Sequence, residues 1–199
     1  MPVKKTIHAA CAAAAFYAGI QLGPVPRAEP DDWRAEASAE DARRLARIDH
    51  AWSEGLRQAR QHGHRPGLAS LGLLVDPGAA LRGSRPQAGA YYCRTVKLGS
   101  ADGHGAAFAA YDWFHCEVEQ GPGGELLLEK TTGSQRPWGR LYEDGARRHV
   151  YVGAVSAPYG RDPTQDQIGA FERLGQDHYR LVLPWSKQES VLDLIELRR

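Results

Sequence analysis

Residues 166–197, DQIGAFERLGQDHYRLVLPWSKQESVLDLIEL, decide the fold class. They contain three short runs rich in apolar and β-branched side chains, over 166–174, 178–184 and 191–197, and the tight turn Gly175-Gln176-Asp177 separates the first two. Runs of this kind between turn residues indicate β-strands, and so short a connection joins strands as an antiparallel hairpin. This part of the chain is therefore predicted to be an antiparallel sheet.

The same pattern extends back to residue 90, with no helix between the strands. The further candidate strands are 90–98, 106–119, 125–132, 137–143 and 147–155. About eight strands is the number at which a closed barrel encloses side chains or one small ligand. We therefore predict a mainly β fold, an up-and-down antiparallel barrel of about eight strands with lipocalin-like architecture. Two sheets packed face to face are the alternative.

The connections between these strands are of two kinds. Three are tight, at 120–124, Asp144-Gly145 and 175–177, and Asp-Gly is a strong hairpin signal. The alternate ones are longer or chemically richer, and they cover 100–105, 133–136, 156–165 and 185–190. Because alternate hairpins of an up-and-down barrel emerge at the same end, the richer loops are predicted to form a functional mouth.

Cys93 and Cys116 are symmetric about the turn-like stretch 101–105, so a hairpin there places them opposite each other. Facing strand positions allow a disulfide, which we predict. The same register puts Lys97 opposite Asp112, and it puts Phe108, Phe114 and Val118 on the face of Cys116, which indicates an apolar interior. A reactive Cys116 assisted by His115 is the weaker interpretation, because consecutive strand residues point to opposite faces.

A helix over 39–62 precedes the barrel. Ser38 is a good N-cap, Leu45, Ile48, Trp52, Leu56 and Ala59 recur at helical spacing, and Gly63 ends the run. Its apolar stripe predicts packing on the barrel. Short helical turns are expected over 67–81. The predicted domains are a signal peptide at 1–28, a helical lead-in at 29–85 and the barrel at 86–199.

Residues 1–28 are typical of an export signal, with Lys4 and Lys5 before an Ala-rich apolar run. Cleavage would leave no transmembrane anchor, and the formal net charge would change from +1 to −2 because the segment holds three basic residues and no acid. A permanent transmembrane anchor is the weaker alternative, because the run is short of about 20 apolar residues and contains His8 and Gln21. A near-neutral body gives no reason to expect a nucleic-acid partner. We predict a periplasmic or secreted protein, a compartment in which the disulfide persists.

Six residues of the predicted mouth are candidate ligand-binding residues because they combine cations, aromatic rings and hydrogen-bonding groups. They are Ser134, Gln135, Arg136, Tyr159, Arg161 and Trp185. The alternative is structural, with Ser134 making a turn, Arg136 packing across Trp138 and the remaining residues forming a solvated rim.

Sequence motifs for metal, cofactor or catalytic sites are missing. The histidines, including His62 and His64, are dispersed without H-E-x-x-H or C-x-x-C spacing, and Gly121–Gly124 is a hairpin turn rather than a dinucleotide loop. Ser134 lacks a G-x-S-x-G context. We therefore expect no cofactor and no metal, and we assign no catalytic residue.

Three segments resemble the DUF4893 family. They are Cys93–Gly99, Thr132–Pro137 with Gly139–Leu141, and Arg180–Trp185 with Ser190–Asp193. The helix with Trp52 and the stretch Leu74–Pro77 fit the same pattern. This family consists of exported proteins found mainly in sphingomonad-type alphaproteobacteria. The resemblance implies an exported bacterial protein, and it implies no activity.

Three functions follow as hypotheses. The first is a ligand-binding barrel holding a small apolar or amphipathic molecule. The second is a protein-interaction or inhibitor module that presents Ser134–Arg136 to an envelope partner. The third is an enzyme of unknown reaction using Arg136, Tyr159 or His104, which no motif supports.

Overall fold

The computed structural model describes residues 32–155, 163–187 and 190–199. The predicted signal peptide lies outside these ranges. The described helices are α1 Trp33–Glu36, α2 Ala39–Ala46, α3 Ile48–Gln61 and α4 Arg65–Leu71, and 3₁₀ turns cover Gly72–Val75 and Pro163–Gln165. The strands are β1 Gly89–Ser100, β2 Phe108–Ala110, β3 Phe114–Gln120, β4 Leu126–Lys130, β5 Trp138–Glu143, β6 Arg148–Ala154, β7 Asp166–Gly175, β8 His178–Pro184 and β9 Ser190–Arg198.

The predicted antiparallel barrel is confirmed. Each of β3 to β9 pairs with the next strand along the chain, and β1 pairs with both β3 and β9, which closes the ring at eight strands. Every pairing is antiparallel. The short strand β2 lies beside the second half of β1 and is additional to the ring. The tight turns are therefore at one end of the barrel, which we call the base, and the longer connections are at the other end, the mouth.

The first hairpin differs from its predicted register because the candidate strand 106–119 is interrupted at residues 111–113. Cys116 pairs with Tyr91 rather than with Cys93, and Lys97 pairs with Ala109 rather than with Asp112. The offset changes by one residue between β2 and β3, as a bulge requires. Cys93 and Cys116 remain diagonal neighbours with Cα atoms 5.8 Å apart, and they form the predicted disulfide.

The bulge also reverses the face that β2 presents. Phe114 and Val118 contact the interior cluster with Cys116, as predicted. Phe108 does not: it belongs to the cluster outside the barrel, and its ring stacks on His64 at 5.2 Å. An extra residue in a strand shifts the two-residue alternation of side chains, so the prediction for Phe108 was wrong.

The barrel interior is filled by side chains. The cluster comprises Tyr91, Cys93, Cys116, Val118, Leu126, Leu128, Leu141, Tyr151, Phe171, Tyr179, Leu181, Leu183, Ile195 and Leu197. Tyr151 and Phe171 are completely buried. The barrel is thus a packed core below its mouth.

The helical lead-in packs on the outside of the barrel, as its apolar stripe predicts. The predicted single helix over 39–62 is two helices, because the backbone leaves helical geometry at Arg47, where φ is −102° and ψ is 18°. Ser38 caps α2 as predicted, accepting a hydrogen bond from the Asp41 amide at 3.0 Å. The break lets α2 cover β7 and β8 while α3 covers β1 and β9.

A ladder of alternating charge runs across the outer face of the barrel. Register partners on β6, β7, β8, β9 and β1 are, in order, Arg148, Glu172, Arg180, Glu196 and Arg94. Arg180 and Glu196 are fully buried. Ion pairs join Arg180 to Glu172 at 2.7 Å and Arg94 to Glu196 at 2.6 Å. Paired in this way, the charges tolerate burial beneath the lead-in.

No helix within the described ranges has the length and apolar character needed to cross a membrane.

Candidate functional site

One set of polar groups in the barrel interior lies at the mouth and begins on the two strands that close the ring. Asp193 of β9 is the register partner of Lys97 of β1, and Leu183 of β8 is next to Asp193 on the other side. Residues paired across an antiparallel ladder share a face. Leu183, Asp193 and Lys97 therefore follow one another along the inner wall.

Asp193 is a carboxylic acid held almost out of solvent, with 5% of its surface exposed. Burial raises the pKa of Asp193, and hydrogen bonds from Ser190 and Ser186 together with the positive charge of Lys97 offset part of that effect. The Ser190 hydroxyl donates to Oδ1. A carboxyl group with a raised pKa can accept or release a proton closer to neutral pH than an ordinary aspartate.

Hydrogen bonds to backbone groups fix the position of the loop that contains Ser186. Trp185, just before it, has φ of 51°, in the left-handed region that a bulky residue rarely adopts, and its amide donates to the Val191 carbonyl at 2.7 Å. Arg44 of α2 donates to the carbonyls of Trp185 at 3.4 Å and Asp166 at 2.9 Å. The lead-in thus fixes two connections of the mouth.

Gln167 lies on the inner wall of β7, 3% exposed, and its Oε1 is buried. No hydrogen-bond donor for this oxygen exists among the residues that the structure describes. Buried acceptors are nearly always satisfied in proteins, so this oxygen indicates a missing donor.

These groups line a small pocket with mixed chemistry. Its wall consists of Thr95, Gln135, Pro137, Val155, Gln167, Leu183, Asp193 and Ile195, and its volume of about 20 Å³ suits one water-sized group. A second depression of about 120 Å³ adjoins the same pair of strands, and Lys97, Ala109, Tyr111 and Ser190 contribute to its wall. The mouth therefore has a small polar pocket and, next to it, a wider depression, which we call the shelf.

Tyr151 forms the floor and keeps the barrel from being hollow. Gly139 on β5 and Gly153, two residues along β6, lie next to it on the inner wall. A Cβ at Gly139 would lie 2.5 Å from the tyrosine ring, and one at Gly153 would lie 2.2 Å from the Trp138 carbonyl oxygen. Only glycine fits at such distances. The ring therefore lies across the two strands and fills the space that a deeply bound ligand would need.

Lys130 is a second buried charge near the mouth. It pairs with Cys116, so it points inward, and its Nζ lies 4.0 Å from the Phe114 ring centre. Burial lowers the pKa of Lys130. The cation–π contact supplies part of the stabilisation that water would otherwise give.

The predicted ligand-binding residues separate into four groups. Ser134, Gln135 and Arg136 are all exposed, and of the three only Gln135 also lines the pocket. Trp185 faces the lead-in, with Arg47 4.6 Å from its ring centre and His50 at 5.3 Å. Tyr159 and Arg161 lie outside the described residues.

Sequence inspection missed Lys97, Gln167 and Asp193 as site residues. The available signal was a charge in the otherwise apolar run of β9, at a position that alternates with Ile195 and Leu197. Closure of the ring between β1 and β9 is what brings Asp193 beside Lys97.

The remaining chemical predictions concern cysteine and metal. Cys116 is in the disulfide, so it is not a thiol beside His115. Among the described residues no group of three or more His, Cys, Asp or Glu side chains could hold a metal ion.

The family comparison agrees with the resemblance seen in the sequence. The profile of a family described as a domain of unknown function, DUF4893, matches residues 33–197, which contain the lead-in, the disulfide and nearly all of the closed ring. No curated protein and no solved structure matches the chain. The chain belongs to the DUF4893 family.

Proposed function

We propose that the protein is an exported binding protein that holds a small amphipathic ligand at the mouth of its barrel. The observation that carries the proposal is the buried Oε1 of Gln167, which has no donor among the described residues and lies in the pocket that Asp193 also lines. An unpaired buried acceptor costs about 1–3 kcal/mol, and a ligand that donates a hydrogen bond removes that cost.

The pocket wall defines the class of ligand. Gln167 and Asp193 both accept hydrogen bonds, so the inserted group is a donor, an alcohol or a primary amine. Leu183 and Ile195 supply apolar contacts beside them. Because Tyr151 fills the barrel below, the apolar part of the ligand lies on the shelf next to Tyr111. A wholly apolar ligand would leave the Gln167 oxygen unpaired.

Export is supported by the disulfide and by the amino-terminal sequence. Disulfides persist in oxidising compartments such as the periplasm, and they are rare in the cytosol. The basic and Ala-rich residues 1–28 have the composition of a signal peptide. Fusion of this segment to a reporter that is active only after export tests this part of the proposal, and a reporter retained in the cytoplasm would refute it.

Native mass spectrometry of the protein purified from the periplasm tests ligand binding. We expect a mass above that of the oxidised polypeptide, and loss of the excess in Gln167→Leu, which keeps the side-chain volume but removes the acceptor. Gln61→Leu, at an exposed position of α3, is the control and should retain it. A bare polypeptide mass, together with no thermal shift from a panel of small amines and alcohols, would refute the proposal.

Asp193→Asn separates binding from stability. Because the pKa of Asp193 is raised in the folded state, the folded protein holds this proton more tightly than the unfolded chain does. Ionisation of Asp193 therefore destabilises the fold, and the loss of stability begins as pH rises above 3.8, the ordinary pKa of the group. The asparagine variant should be more stable than wild type at pH 7, equal to it near pH 3, and weaker in ligand binding. Thermal denaturation at both pH values measures this, and a variant less stable at pH 7 would contradict the assignment.

The alternative function is a protein-interaction or inhibitor module. The observation in its favour is that Ser134 and Arg136 are exposed in the loop before β5, next to Trp138, whose surface is 36% exposed. Capture of an envelope protein by wild type and its loss in Arg136→Ala, with Gln167→Leu still binding that partner, would favour this function over ligand binding.

A further inference from the structure

A second polar site lies at the base of the barrel, where the segment before β1 crosses the tight turns. The Leu81 amide donates to the Arg173 carbonyl at 2.8 Å, and the Gly83 amide donates to the Ala146 carbonyl at 2.8 Å. These two bonds fix Ser84 over the end of β6. A pocket of about 260 Å³ opens there.

Ser84 is bonded to a histidine of the inner wall. Its Oγ lies 2.9 Å from Nδ1 of His149, and the two residues are only 2% and 4% exposed. Burial lowers the pKa of His149, the charge of Arg85 lowers it further, and the charge of Glu143 opposes them. The imidazole is therefore neutral at pH 7, and in the tautomer that carries its proton on Nε2, Nδ1 accepts the proton of the Ser84 hydroxyl.

Glu143 completes the set. It is the register partner of His149 across β5 and β6, so both side chains are on the same face, and both line the pocket. Its negative charge favours the protonated imidazole. A hydroxyl, a neutral imidazole bonded to it and a carboxylate near the imidazole are the components of an activated serine nucleophile.

We propose that Ser84, His149 and Glu143 form a hydrolytic site for small esters that carry a negative charge. Arg82 and Arg85 line the same pocket and supply positive charge for the anionic group. The volume is below the roughly 300–1,000 Å³ of pockets for drug-sized ligands, which restricts the substrate to a short acyl chain.

The reaction proceeds through an acyl-serine. Ser84 Oγ forms a bond to the acyl carbon while its proton passes to His149 Nδ1, and the bond from that carbon to the alcohol oxygen breaks as the alcohol takes the proton. A water molecule then gives a proton to Nδ1 and bonds to the acyl carbon. The carbon–Oγ bond breaks, Ser84 regains the proton, and a carboxylic acid leaves. Glu143 stabilises the imidazolium in both steps.

Labelling of the full chain by a fluorophosphonate tests the nucleophile. We expect one adduct, located on the peptide that contains Ser84, at a rate that rises with pH and levels off with a midpoint below 6.5, the ordinary pKa of histidine. Ser53→Ala, an exposed serine of α3, should label like wild type. A hydrogen bond that only anchors the segment would give no adduct, and wild type without an adduct on Ser84 would overturn the proposal.

Turnover tests the substrate class. Wild type should hydrolyse 4-nitrophenyl hydrogen succinate faster than 4-nitrophenyl acetate, and His149→Gln should reduce this rate by about 100-fold or more. Arg82→Ala should keep the adduct on Ser84 and lose the preference for the charged ester. An unchanged preference would refute the assignment of an anionic substrate. Gln61→Leu, at an exposed position of α3, should leave turnover intact. The base pocket and the mouth pocket share no lining residue, so this proposal and the binding proposal can fail separately.

Discussion

Replacement of Arg180 by methionine should strongly destabilise the barrel and its lead-in. The guanidinium is completely buried, pairs with Glu172, and donates to the carbonyls of Leu74 at 3.1 Å and Asp76 at 2.6 Å. It also lies 4.8 Å from the Trp52 ring centre. One residue thereby joins β8 to both the 3₁₀ turn and α3.

The expected loss follows from what the variant leaves behind. Methionine preserves much of the volume, but it leaves the Glu172 carboxylate and the carbonyls of the turn without their donor. Breaking a buried ion pair by removing one partner costs about 3–5 kcal/mol. Part of this cost is offset because Leu73 lies at the surface, where water can donate hydrogen bonds to the carbonyls of the turn. We expect a loss of about 4 kcal/mol, or roughly 10 °C in the melting temperature of a chain this size.

Urea denaturation of the oxidised protein measures the loss, and two variants calibrate it. Arg180→Lys keeps the charge but not the planar fork of donors, so it should lose an intermediate amount. Arg57→Met breaks the exposed pair with Glu54 on α3 and should cost less than about 1 kcal/mol. If Arg180→Met were no more destabilising than Arg57→Met, the conclusion that Arg180 holds the 3₁₀ turn and α3 on β8 would be wrong.

Three further outcomes follow from the described contacts. Burial alone would raise the pKa of Glu196, but hydrogen bonds from His178 and two arginines outweigh it and hold the pKa at about 2. The resulting stability is present above pH 4.5 and is lost as pH falls toward 2, so Glu196→Gln should lose about 3 kcal/mol in denaturation at pH 7 and nothing at pH 2. Replacing both Cys93 and Cys116 by alanine should cost about 3 kcal/mol in the same assay, because the bond closes a loop with a sequence separation of 23; reduced wild type should match the variant. Gly153→Ala should lower the melting temperature, with a cost of about 1–3 kcal/mol, because its Cβ would lie 2.2 Å from the Trp138 carbonyl oxygen. An unchanged melting temperature would show that β5 and β6 can separate there.

Local patterns were sufficient to predict the ring of strands. Turn residues and alternating apolar runs are properties of adjacent residues, so the order of hairpins and the two ends of the barrel follow from them. The bulge at 111–113 carries no comparable signal, because Tyr111 and Trp113 are also good strand residues. The register of the first hairpin and the face of Phe108 were therefore mispredicted.

The polar sites could not be predicted for a different reason. Lys97 and Asp193 meet only because the first and last strands pair, and Ser84 meets His149 only because a connecting segment crosses the base. Such juxtapositions depend on closure of the ring, which no window of neighbouring residues records. Gln135 was found because its loop concentrates polar side chains within a few residues.

The seam between β1 and β9 has a consequence for how the chain becomes functional. Until residues 190–198 are available, both β1 and β8 are open edges, and the wall that carries Asp193 does not exist. Contacts between strands far apart in sequence, such as β1 and β9, form slowly because a long loop must close first. A chain synthesised from its amino end therefore cannot close the ring, or form the mouth pocket, until residues 190–198 have emerged.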